Sequence, residues 1–189
     1  MVQDIIESAF DKVMTFLTRF QPLLEIYWRN KQVDLKILVH ERLRNPVDSL
    51  ANTIRLFNHY HTYFSSNLPS MTDIGLLQID SKGCRSTLLP TPKDFIAQIE
   101  QMVPKIIRER TDVSKKWLRK ALSDLSKPVS NVEEFVEQKG HLNYVNDNFQ
   151  NVRDSVDLYG QIYNTLAEFV LKVKKEDRDN FTETVQNIS

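Results

Sequence analysis

The chain has 189 residues with 25 basic and 25 acidic side chains, so its formal net charge is zero. Apolar residues make up 41% and charged residues 26%, which argues against a disordered chain, and no apolar run approaches the ~20 residues that a membrane span needs. A single cysteine, Cys84, rules out an internal disulfide and any cysteine-based zinc site, and the neutral balance argues against wholesale nucleic-acid binding. Met1-Val2-Gln3-Asp4 lacks the basic start and apolar block of a secretion signal, so the composition reads as soluble, intracellular and mainly helical.

The first predicted element is an amphipathic helix from Val2 to about Phe20. Val2, Ile6, Ala9, Val13, Phe16 and Phe20 recur at helical spacing, with Ile5, Phe10 and Leu17 widening the stripe. Pro22 interrupts it, and Leu23 to Trp28 forms a short apolar helical piece. Val33 to Leu43 is too densely apolar to fix a period. Asn45-Pro46 opens the next helix, because Asn caps free N–H groups and Pro suits the first helical position. That helix carries Val47, Leu50, Ala51, Ile54, Phe57, Tyr60, Tyr63 and Phe64 and ends before Pro69.

Ile74 to Asp80 is the one good strand candidate. Asp80-Ser81-Lys82-Gly83 then reads as the turn of a small hairpin, which must lie against helices because two strands alone are marginal in water. Thr91-Pro92 opens a helix with a stripe from Phe95 through Ile99, Met102, Ile106, Val113, Trp117 and Ala121 to Leu125. Pro104 is expected to kink or split it near Met102. Ser130-Asn131-Val132-Glu133 reads as a capping box.

A long ladder follows: Leu142, Val145, Phe149, Val152, Val156, Tyr159, Tyr163, Leu166, Val170 and Val173 alternate in steps of three and four, and Phe135 extends the register backwards. A continuous helix of this kind spans roughly 60 Å, against a diameter near 40 Å for a compact chain of this length, so an elongated shape is expected. Lys174 to Asp177 marks a break before a short final helix from Arg178. The basic run Lys105 to Lys127 and the acidic run Glu133 to Glu168 should fold back as an antiparallel hairpin with opposite charges flanking an apolar seam. The fold class expected is mainly α: an elongated helical bundle with long antiparallel helices and one small β-hairpin. Its parts are an N-terminal helical segment (1–70), a short hairpin connection (71–90), and a long helical hairpin with a short terminal helix (91–189).

Chemistry-bearing motifs are sparse. No glycine is followed by Lys and then Ser or Thr, so no phosphate loop exists, and neither G-x-S-x-G nor H-E-x-x-H occurs. His59 and His61 point apart on a helix and cannot share a metal. Cys84 has no base beside it and reads as an idle thiol. The glycosylation patterns at Asn180 and Asn187 read as chance matches without a secretion signal. No catalytic, cofactor-binding or metal residue is expected.

The succession Ile74-Gly75-Leu76-Leu77-Gln78-Ile79-Asp80, Leu88-Leu89-Pro90-Thr91-Pro92, Ser130-Asn131-Val132-Glu133-Glu134-Phe135-Val136 and Val156-Asp157-Leu158-Tyr159 resembles the stem of dynein heavy chains. The resemblance is to the axonemal kind, in the part just before the linker, and runs from about Leu24 to the end. It implies a non-catalytic piece of a microtubule motor whose ATPase ring lies elsewhere. Its role would be to transmit force and to scaffold between tail and linker. It further implies other dynein chains (heavy, intermediate or light) and the rest of the heavy chain as partners. The implied location is the cytoplasmic cytoskeleton, in a cilium or flagellum axoneme, with no nucleic acid and no membrane.

Stiffness along an axis would rest on packing at Trp117, Phe135, Leu142, Phe149, Val152, Val156, Tyr159, Tyr163 and Leu166. The alternative is a freestanding helical adaptor that grips a protein partner through Trp28, Phe57, Tyr60, Tyr63 and Phe64. For those aromatics, mutual packing is the competing reading. Nucleic-acid binding by the Lys105 to Lys127 helix is a third reading, which would require steep salt dependence.

Overall fold

A computed structural model describes residues 2–18, 20–32, 34–40, 45–75 and 77–188. Among these residues the fold is mainly α with one two-stranded antiparallel hairpin. In chain order the elements are α1 (Val2–Thr18), α2 (Gln21–Lys31), α3 (Leu35–Leu38), α4 (Pro46–Asn67), β1 (Met71–Ile74), β2 (Leu77–Asp80), α5 (Lys82–Leu88), α6 (Thr91–Leu125), α7 (Val132–Glu168) and α8 (Lys175–Ile188). Of the undecided stretch 33–43, Leu35–Leu38 forms one helical turn, while residues 33 and 41–43 lie outside the described set. The chain divides into two compact units, Met1–Asp34 with Ala51–Ile99, and Leu35–Leu50 with Glu100–Ser189.

In the first unit, α4 starts at Pro46, as the Asn45-Pro46 pair requires; Asn45 Oδ1 accepts from the Asp48 N–H at 3.5 Å. Leu23, Phe64, Leu68 and Leu88 form a buried cluster, flanked by half-buried Phe20, Tyr27, Tyr63 and Cys84. Phe57 stacks on Phe95 with ring centroids 3.9 Å apart. The Arg85 guanidinium donates to the Leu68 carbonyl and ties α5 to the end of α4. Of the α1 stripe, Ala9 is buried and Val13 and Phe16 are half-buried, whereas Ile5, Ile6, Phe10, Met14 and Leu17 face outward.

The hairpin lies earlier than the sequence led one to expect. Its register pairs Met71 with Asp80 and Ile74 with Leu77, so the run Ile74 to Asp80 is divided by the reversal rather than forming one strand. Gly75 has φ +61°, a left-handed conformation that glycine reaches without steric cost. The supposed turn at Asp80 to Gly83 is instead the entry to α5: the Asp80 carboxylate accepts from the Lys82 N–H at 2.9 Å.

In the second unit, α6 runs through Pro104 without being divided. The cap of α7 sits one residue later than read from sequence. Asn131 Oδ1 accepts from the Glu134 N–H at 2.8 Å, and the Glu134 carboxylate accepts from the Ser130 N–H at 2.8 Å. α7 has 37 residues, about 55 Å at ~1.5 Å per residue. It stops at Glu168, so Val170 and Val173 are not on the ladder. The stop is a Schellman motif: the Leu171 N–H reaches the Leu166 carbonyl at 2.9 Å and the Val170 N–H reaches the Ala167 carbonyl at 2.9 Å. Val170 holds the left-handed position, φ 57°, usually given to glycine. α8 begins three residues before the expected Arg178.

Candidate functional site

α6 and α7 form an antiparallel helical hairpin. Near its tip, Gln138 Nε2 on α7 donates to the Leu125 and Lys127 carbonyls at 2.8 and 3.0 Å. Trp117 on α6 lines a groove with Tyr144, Asn148 and Val152 of α7, and Arg110 lies opposite Tyr159. Residue numbers on the two helices therefore run in opposite directions, which a short connection enforces.

α8 lies parallel to α6, and its docking is polar. Arg108 Nη1 meets Asp177 Oδ1 at 3.4 Å, Asn180 donates to Asp112 at 3.3 Å, and Lys115 Nζ donates to Asn180 Oδ1 and, at 2.6 Å, to Glu183 Oε2. Lys115 and Asp177 are buried, so their charges are held by partners rather than by water. The hydrogen bond and charge of Lys115 hold the Glu183 carboxyl below its usual range. Here the structure departs from the sequence reading: Arg108 and Lys115 of the basic run pair with acids of α8, not of α7. On α8, Asp177, Asn180 and Glu183 recur every three residues and meet Arg108, Asp112 and Lys115 in turn.

Apolar contacts complete the layer. Phe181 packs 5.1 Å from the Tyr163 ring, and its edge lies 3.6 Å from where a side chain at Gly160 would begin. Burial, then the nearby Asp177 charge, pushes the Tyr163 hydroxyl up to about 12, and its oxygen has no hydrogen-bond partner among the described residues.

The ladder residues fall into two groups. Val156, Tyr159, Tyr163 and Leu166 are buried, and Trp117, Phe149 and Val152 are half-buried. Phe135 and Leu142 are 58% and 46% exposed, a correction to their expected place in the packed seam. The 14-residue α8 is too short to cover the full length of the 37-residue α7.

The proposed aromatic partner face is also corrected. Phe57, Tyr60 and Phe64 are buried in their own unit and Tyr63 is half-buried beside them, leaving Trp28 exposed. Mutual packing, including a Tyr60–Phe64 ring pair at 6.5 Å, absorbs them. His59 lies against Tyr60 and Tyr63 rather than pairing with His61. Among the described residues no cluster of three or more His, Cys, Asp or Glu side chains could hold a metal ion, and no helix is long and apolar enough to cross a membrane. The polar layer between α6 and α8 carried no sequence motif. Its one legible signal was the phase, since Arg108 and Lys115 recur at seven-residue spacing and Lys115 continues the buried four-residue row of Ile99, Val103, Ile107 and Thr111.

Known proteins supply one further observation. The chain is similar to a segment of an axonemal dynein heavy chain. The relative is dynein axonemal heavy chain 6 of Homo sapiens, 19% identical over 177 residues. The match takes in 93% of this chain but 4% of that protein. No family model matches the chain. The similarity to the dynein heavy chain thus extends across both compact units rather than resting on one helix.

Proposed function

We propose that the chain acts as a non-catalytic stem segment of a dynein heavy chain, scaffolding and transmitting force between the tail and the linker of a microtubule motor. The observation that carries this reading is the similarity to a dynein heavy chain over nearly the whole chain. The helical hairpin is mechanically suited to the role. A long α7 cannot bend without sliding packed side chains past one another, and Trp117, Phe149, Val152, Tyr159, Tyr163 and Leu166 supply that resistance. The partners would be the rest of the heavy chain and other heavy, intermediate or light chains, at the cytoskeleton of a cilium or flagellum.

The test is affinity purification of the endogenously tagged protein from ciliated cells, with mass spectrometry of what copurifies. Dynein intermediate or light chains in stoichiometric amounts are expected. Recovery of the protein free of any dynein subunit overturns the reading.

A further inference from the structure

The seat of α8 continues beyond the end of α8. On α6, Arg108, Lys115 and Leu122 lie seven residues apart on one row; α8 pairs with the first two, and Leu122 is left 65% exposed. On α7, Phe135, Leu142, Phe149, Val156 and Tyr163 form another such row. α8 reaches Val156 and Tyr163, and the row beyond stays open or half-open. The open floor is apolar and its rims are basic. Arg119 follows Asp112 on the neighbouring α6 row, while Lys139 and Arg153 share a row with Gly160 on α7; all three cations are exposed.

An apolar trough with cationic edges fits an acidic amphipathic helix, and it disfavours pairing with its own like-charged counterpart. The chain carries such a helix. α1 turns Ile6, Phe10 and Leu17 outward, and Glu7 and Asp11 flank that stripe. Its 17 residues span about 25 Å, against about 21 Å of open trough from Phe135 to Phe149.

We propose that two copies of this chain associate by exchanging α1: the outward stripe of α1 in one copy seats in the α6–α7 trough of the other, and reciprocally. The exchange has twofold symmetry, so each interface is formed twice and the buried area doubles. This inference stands independently of the dynein reading.

The test is sedimentation velocity over the micromolar range on three full-length proteins. These are the wild type, a trough variant (Arg119→Glu, Lys139→Glu, Arg153→Glu) and an α1 variant (Glu7→Lys, Asp11→Lys). The wild type should dimerise reversibly, and each variant alone should dissociate with a constant at least ~10-fold weaker. An equimolar mixture of the two variants should restore the dimer, because acidic trough then meets basic α1 and basic trough meets acidic α1. That restoration also demonstrates that both variants fold. A wild type that stays monomeric overturns the proposal. So does a dimer that survives in the α1 variant, which would mean that another surface occupies the trough, and so does a mixture that remains monomeric.

Discussion

Leu166 and Leu142 are rungs of the same ladder, yet Leu166 is 0% and Leu142 46% exposed. Truncating each to Ala is the same chemical change in two environments. At Leu166 the side chain lies fully inside and its backbone carbonyl anchors the Schellman motif, so the loss is transfer energy plus a cavity, about 3 kcal/mol within a usual range of about 2–5. At Leu142 roughly half the side chain already meets water and no closed cavity forms, so the loss is about 1 kcal/mol or less. At ~2–4 °C per kcal/mol for a chain of this size, Leu166→Ala lowers Tm by about 6–12 °C and Leu142→Ala by less than about 4 °C. Urea unfolding followed by circular dichroism gives the free energies directly, at a concentration low enough to exclude self-association. Equal losses at the two positions would refute the argument that α8 divides the ladder into a covered and an open half.

Replacing Val170 by Gly should raise stability by about 0.5–1 kcal/mol. A left-handed conformation costs an ordinary residue ~1–2 kcal/mol, the side chain is 85% exposed, and the greater freedom of Gly in the unfolded chain returns part of the gain; thermal denaturation measures it. Tyr163→Phe should leave stability at neutral pH unchanged or slightly higher, since the lost hydroxyl is buried without a partner among the described residues. Because the folded state raises this pKa from 10.0 to about 12, its contribution is intact below the lower value and is lost as pH climbs through the higher. The alkaline decline between those values should therefore flatten in the variant. For Glu183 the sign is opposite. Its depressed carboxyl adds stability above the ordinary glutamate range, and that stability is lost as pH falls through the lowered value. Hydrogen exchange of α8 amides should accelerate in acid in the wild type. In Lys115→Met it should already be faster at neutral pH and depend less on acid.

Element type was legible where periodicity is long. The helices α1, α6 and α7, and the Asn45-Pro46 start of α4, were visible as spacing, although beyond Ile99 the row that α6 buries is Val103, Ile107 and Thr111 rather than the expected Met102, Ile106 and Val113. What periodicity cannot report is the length of whatever covers a face. Phe135 and Leu142 carry the same phase as Val156 and Tyr163, and only the 14-residue extent of α8 separates them. The cap of α7 was ambiguous for a chemical reason: Ser130 and Asn131 are both good caps, and each has a glutamate three residues on. The hairpin was misplaced because Gly75, inside an apolar run, reads equally as strand interior or reversal point until its φ is known. Among the aromatics of α4, one-sided spacing could not distinguish an outward groove from an inward cluster, and burial of Phe57 and Phe64 decides for the cluster.

The parallel course of α6 and α8 governs how the assembly would yield to tension. A pull between the start of α6 and the end of α8 drags one helix lengthwise along the other. The bonds Arg108–Asp177, Asn180–Asp112 and Lys115–Glu183 are then strained together in shear. Helices set the other way round would peel apart one contact at a time, and a fastener loaded all at once withstands far more than a zipper opened from its end.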